Sequence, residues 1–188
     1  MKKVLSLLLT ALLLLSSLVG LISCGGEGVT TVTAEEWAAA LAENNATVEG
    51  FLTENGKQER VLFKITEELY FSDNDGYRAY CVEREDGWHI YAEGNTEGPR
   101  IDGFTPTIGT ALTSFHLPAY DAFTYDEKLG AYTVRNKNYP EAYHFFRLYF
   151  EDGRLVKFES LTKEETVAYS YTFTNYGKTR VTLPDYLQ

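Results

Sequence analysis

From Ala46 onward, apolar and polar positions alternate with a period of two, and turn signals interrupt the alternation at regular intervals. Val61, Phe63 and Ile65 alternate with Arg60 and Lys64, which is the pattern of a strand with one wet face. The interruptions are Asn55-Gly56, Asn74-Asp75-Gly76, Asp86-Gly87, Leu129-Gly130 and Asp152-Gly153. Each joins two strand-like runs, and Gly and Asn tolerate the positive φ angles of tight hairpin turns. The runs lie at 46–53, 58–66, 68–73, 77–84, 88–93, 123–127, 131–135, 143–150, 155–161 and 166–174, with a last one at 178–183 before Pro184. Ten or eleven strands in this order predict a mainly β domain, an antiparallel meander with a few helices.

Two segments change the period. Thr33-Ala34-Glu35-Glu36 matches a capping box, and Trp37, Ala38, Leu41 and Ala42 follow at helical spacing until Asn44-Asn45. Between 94 and 122 the meander breaks. There Thr105 is placed to cap a helix starting at Pro106, with Ile108, Ala111, Leu112 and Phe115 on one apolar face. This segment is expected to lie across the sheet as a lid. The run 143–150 is apolar on both sides, with Phe146, Leu148 and Phe150 opposite Tyr143, Phe145 and Tyr149. Such a strand is expected to be covered on both faces, or to look into a cavity on one.

The first residues follow another rule. Lys2 and Lys3 precede an uncharged, leucine-rich run from Val4 to Ile22, and Ser23, Cys24, Gly25 and Gly26 follow. A positive start, an apolar core and a small-residue end describe a secretory signal peptide. The run approaches the roughly 20 residues that span a bilayer, but Ser16, Ser17 and Gly20 weaken it. Leu21-Ile22-Ser23-Cys24 resembles the bacterial lipobox. The alternatives are a plain signal peptide or a simple membrane anchor. The lipobox reading gives residues 1–23 as leader, 24–32 as lipidated cysteine and tether, and 33–188 as one β domain. Diacylglyceryl on Cys24 would hold the chain to a bacterial membrane from outside the cytoplasm.

Charge narrows the partners. The chain carries 17 Lys+Arg against 27 Asp+Glu, and without Lys2 and Lys3 the balance is 15 − 27 = −12. That surface repels phosphates and anionic headgroups, so nucleic acid is rejected and the membrane contact is the anchor alone. A monomer is expected. Cys81 lies in an apolar run and reads as a small core residue. All aromatic residues fall after the leader, 14 of them tyrosine, which suits either a β core or a binding surface.

No catalytic or metal signature emerges. His89, His116 and His144 lack partners at ligand or nucleophile spacing. Asp73-Asn74-Asp75-Gly76 lacks the further ligands of a calcium loop and reads as a turn. There is no phosphate-binding glycine loop and no G-x-S-x-G, and no cofactor is implied. An enzyme is not expected.

The order of elements resembles the LolA-like half-barrel superfamily, which includes periplasmic lipoprotein carriers and the mycobacterial LppX and LprG type lipoproteins. The carrying residues are Thr33-Ala34-Glu35-Glu36-Trp37, Phe123-Thr-Tyr-Asp with Gly130-Ala-Tyr, Tyr149-Phe-Glu-Asp-Gly-Arg-Leu-Val-Lys, and the stretch from Tyr171 to Pro184. The resemblance implies a strongly curved sheet wrapped around helices, with an apolar cavity between them for acyl chains. On that reading Trp37, Leu41, Ile108, Leu112, Phe115, Tyr169, Tyr171 and Phe173 line the cavity or its lid, and the ligand is a lipid or other apolar molecule. The competing expectation is a filled core and a surface module that binds a protein or glycan. Its wet patches would be built from Tyr70, Tyr77, Tyr80, Tyr91 and Tyr143.

Overall fold

The computed structural model describes residues 31–54, 56–136 and 144–188. The leader, Cys24 and most of the tether lie outside the described residues, as does Tyr143. Eleven strands form one curved, open antiparallel sheet that does not close into a barrel. They are β1 (Ala46–Glu54), β2 (Lys57–Ile65), β3 (Leu69–Asn74), β4 (Tyr77–Arg84), β5 (Gly87–Ala92), β6 (Arg100–Ile101), β7 (Thr124–Asp126), β8 (Ala131–Arg135), β9 (Phe145–Glu151), β10 (Arg154–Leu161) and β11 (Val167–Thr174). Among the described residues two α-helices accompany them, α1 (Ala34–Ala42) and α2 (Ile108–Ala111).

The strand order is β6-β5-β4-β3-β2-β1-β11-β10-β9-β8-β7. The chain therefore starts at the centre of the sheet and walks outward to the β6 edge. It crosses the concave face through 102–123, re-enters at the β7 edge and walks back to the centre. Pairing of β1 with β11, Val48 opposite Phe173 and Gly50 opposite Tyr171, joins the two halves. Gly50 is needed at that seam because a Cβ there would sit 2.0 Å from the Ser170 carbonyl oxygen. Tight turns follow the sequence signals: Asp75 and Gly76 have φ of 50° and 94°, and Asp152 and Gly153 have 49° and 74°.

The capping box forms as expected, with the Thr33 amide donating to Glu36 Oε2 at 2.7 Å and the Glu36 amide donating to Thr33 Oγ1 at 3.2 Å. The mid-chain helix departs from expectation. Its cap is Thr107, not Thr105, because Thr107 Oγ1 accepts the Thr110 amide while the Thr105 carbonyl accepts the Thr110 hydroxyl. It is a single turn that tightens into a 3-10 turn over Thr113–Phe115. His116 in the left-handed region then ends it.

A second departure is β6, a two-residue strand inside the expected loop, set by Trp88 opposite Ile101. The third is the segment 178–183, which forms no strand pairing among the described residues. β11 is already flanked by β1 and β10, so the chain leaving it finds no open edge and passes onto the outer face.

The concave face holds the main core. Phe115, Phe146 and Phe158 are fully buried, together with Ile65, Ile108, Leu112, Leu148 and Leu155. The outer face of β9 is covered by charged side chains rather than by another element: Arg135 lies over the Phe145 ring and Lys157 over the Tyr149 ring, at 5.7 and 5.2 Å.

Candidate functional site

The eight side chains assigned to a cavity or lid come together, but as parts of one packed core. Trp37 sits among Tyr120, Phe123, Tyr132 and Phe150, with ring centroids 4.8–5.5 Å away. Phe115 is driven from the crossing segment into the cup. Its ring meets Phe158 at 4.6 Å, Tyr169 at 5.2 Å and Tyr171 at 5.7 Å. Ile108, Leu112, Tyr171 and Phe173 are buried in the same cluster, with Leu41 and Tyr169 partly buried at its margin. Five concavities elsewhere on the described surface are lined by other residues.

The tyrosines assigned to wet patches divide. Tyr77 is 85 % exposed, but Tyr70 and Tyr91 are buried. Tyr70 points into the concave core, where it packs on Phe63 and Phe104. Burial pushes its hydroxyl far above the ordinary tyrosine range. Tyr91 and the half-buried Tyr80 lie on the outer face, in a smaller cluster of Leu69, Val82, Leu187, Phe71, Val181 and Leu183. These two residues are therefore not open recognition tyrosines.

That smaller cluster exists because the C-terminal segment folds over it. Asn45 fixes the departure point: its carbonyl accepts the Gly177 amide and its side-chain oxygen accepts the Thr179 amide, both at 2.9 Å. The buried Thr179 and Thr47 hydroxyls share a hydrogen bond of 2.9 Å. Beyond it, Val181 and Leu183 are half-buried while Arg180 and Thr182 are exposed, the alternation of an extended chain. Leu187 closes the segment, 4 % exposed, with its carbonyl accepting from Arg84 Nη2 at 2.8 Å. Arg84 also lies over the Tyr91 ring at 5.5 Å. Tyr186 Oη accepts the Gly94 amide at 2.8 Å. The segment is thus a strap pinned at both ends.

Between the pins the Leu183 carbonyl accepts from Gln188 Nε2 at 3.0 Å, while among the described residues no backbone hydrogen bond uses the amides of Arg180, Val181, Thr182 or Leu183. Beside the strap opens a groove of about 620 Å³, lined by Thr66, Glu68, Leu69, Val82, Glu83, Arg84, Glu85, Val181 and Leu183. It continues past Glu67 and Thr179 into a second concavity of about 250 Å³. The floor is apolar (Leu69, Val82, Val181, Leu183) and the rim carries Glu67, Glu68, Glu83 and Glu85. These four carboxylates are exposed and, among the described residues, form no ion pair. The larger volume is of the size of ligand clefts, about 300–1,000 Å³. Sequence reading missed this site because its two walls are over 90 residues apart. The period-two pattern at 178–183 was the available signal.

Several other polar groups are satisfied locally. His89 bonds the Gly98 carbonyl and Asp86, both at 2.9 Å, and the Gly98 contact and then Asp86 raise its pKa. Arg135 Nε donates to His144 Nε2 at 3.0 Å. Buried Glu159 accepts from Tyr149 Oη at 2.8 Å and pairs with Lys157 at 2.6 Å. Burial, then the Glu159 contact, pushes the Tyr149 hydroxyl up to about 12. Cys81 is buried and its thiol is pushed up to about 11. Among the described residues, no three His, Cys, Asp or Glu side chains converge as a metal site.

No protein-family model matches the chain, and no curated protein matches it. Among solved structures the chain is similar to MucB in the crystal of MucB with MucA(peri), at 16% identity over 81% of this chain and 58% of that one, TM-score 0.38. It is similar as well to MucB crystallised alone, at 19% identity over 82% of this chain and 62% of that one, TM-score 0.34. The chain spans about three fifths of the length of each, and the likeness is a loose one that assigns no role to any residue.

Proposed function

We propose that this protein is an extracytoplasmic binding module, held to a membrane by lipid on Cys24, that engages a polypeptide on the outer face of its sheet. One observation carries the reading. The concave face is occupied by the protein's own rings, Phe115 above all, whereas the outer face carries a groove beside a stretch whose amides make no backbone hydrogen bond among the described residues. The tether supports it. Residues 24–32 reach on the order of 30 Å when extended, and Val32, where they join the domain, has its carbonyl clamped by the hydroxyls of Tyr120 and Tyr132 at 2.9 Å each. The domain would therefore stand off the bilayer on a short leash.

A second reading, an apolar ligand in the cup, is favoured by the incomplete burial of Leu52, Phe63, Phe104 and Tyr169 around the core. It requires the crossing segment 102–123 to lift and carry Phe115 out. A photo-reactive residue placed at Arg180 or Tyr186, and separately at Phe104 or Tyr169, separates the two in intact cells. Polypeptide adducts from the outer positions support the proposal. Lipid adducts from the concave margin would replace it with the second reading.

A further inference from the structure

We infer that the strap is a docking edge for an extended, basic polypeptide segment, which would add to it as a strand above the 620 Å³ groove. The inference rests on the outer-face reading and names the partner's chemistry. Three observations combine. The strap is extended, with inward Val181 and Leu183 alternating with outward Arg180 and Thr182. Its amides from Arg180 to Leu183 make no backbone hydrogen bond among the described residues, in a protein whose other outer edges are strands of only two and three residues. The groove floor is apolar and its rim is acidic, with Glu67, Glu68, Glu83 and Glu85 all outside any ion pair among the described residues.

An added strand gains affinity from main-chain hydrogen bonds and specificity from the pockets that take alternate side chains. Here the alternate pockets are set by Leu69, Val82, Val181 and Leu183, so the partner should place aliphatic residues at every second position. The intervening positions would face the carboxylates, so they should carry lysine or arginine. Arg84 and Arg180 line the same concavities, and against four carboxylates they leave an excess of two negative charges, with the Arg84 guanidinium held at the Leu187 carbonyl and the Tyr91 ring. A second copy of this chain is the wrong partner on charge, since each copy has a net charge of −10.

The test uses the full chain in detergent micelles and two short labelled peptides, one alternating valine with lysine and one alternating valine with glutamate. Fluorescence anisotropy should show the lysine peptide binding at least about tenfold more tightly, with the preference shrinking as salt rises. Amide exchange read by mass spectrometry should show new protection at 180–183. Val181→Pro removes one donor without changing charge and should weaken binding by about tenfold. Glu68→Lys with Glu85→Lys should invert the peptide preference. Unchanged protection of β1 and β2 in both variants shows that the fold survives. Binding of neither peptide, or no preference between them, overturns the inference. Protection elsewhere on the outer face also overturns the strap assignment while leaving outer-face binding intact. Strap protection that appears only with self-association assigns the edge to a second copy and overturns it too.

Discussion

The two faces of this sheet solve the same problem with unequal means. On the concave face α1 and the segment 102–123 lay large rings against both halves of the sheet, and a wide set of residues is sealed from water. On the outer face one strap of about ten residues covers four buried side chains of β3, β4, β5 and itself. The concave side spends its aromatic residues on packing, and the outer side leaves a groove and free amides. A face that is filled is a core, and a face that is half covered is where a partner can still gain something.

Breaking the concave face should have the largest effect. Phe158 is fully buried against Phe115, Phe146 and Tyr171. Phe158→Ala should cost about 3–5 kcal/mol in urea unfolding, as large-to-small core changes do. Gly50→Ala attacks the β1–β11 seam directly. The new methyl would lie 2.0 Å from the Ser170 carbonyl oxygen and 2.7 Å from Tyr171 Cδ1, so two central strands must part. A loss of about 3 kcal/mol is expected, at the upper end of overpacking penalties. Leu187→Ala sharpens the contrast. It removes a residue 4 % exposed, but from a cluster that is small and open along the groove, so about 2 kcal/mol is expected. A cost equal to that of Phe158→Ala would show that the outer face is as tightly built as the inner one.

The smallest effect concerns charge on the β3–β4 hairpin. The Arg78 guanidinium, and then the Gly76 amide, hold the Asp73 carboxyl below its ordinary range. A depressed pKa stabilises the fold above the unfolded value of about 4 and loses that contribution as pH falls through the lower folded value. Urea midpoints should therefore fall slightly less in Asp73→Asn than in the parent chain between pH about 4 and pH about 2.

Much of this was legible in the sequence. The paired glycine-containing turns located the hairpins, because positive φ is a local demand that only a few residues meet cheaply. The Thr33–Glu36 capping box was legible for the same reason. Apart from the helix cap at Thr107 rather than Thr105, the misreadings are tertiary. β6 exists only because Trp88 and His89 offer a free edge to Ile101 and Arg100. The alternation at 178–183 predicted a last strand, but whether such a segment pairs or crosses a face depends on which edges are already taken. Tyr70 and Tyr91 face opposite sides of the sheet, and Tyr91 is covered by a segment that arrives some 90 residues later. The residues named for the cavity or its lid all lie in or against the concave cluster, and the position of the Phe115 ring was not legible because it depends on how far the crossing segment sinks into the cup.

The proposed outer-face reading requires the concave face, packed by the protein's own side chains, to take up no apolar ligand. Native mass spectrometry of the protein purified from cells, with the segment before Val32 removed by proteolysis, tests it most directly. The account predicts the mass of the polypeptide alone, with no uptake when a fluorescent fatty acid is added. A stoichiometric apolar adduct that survives desolvation, and that is lost when Phe115 is enlarged to Trp, would contradict it.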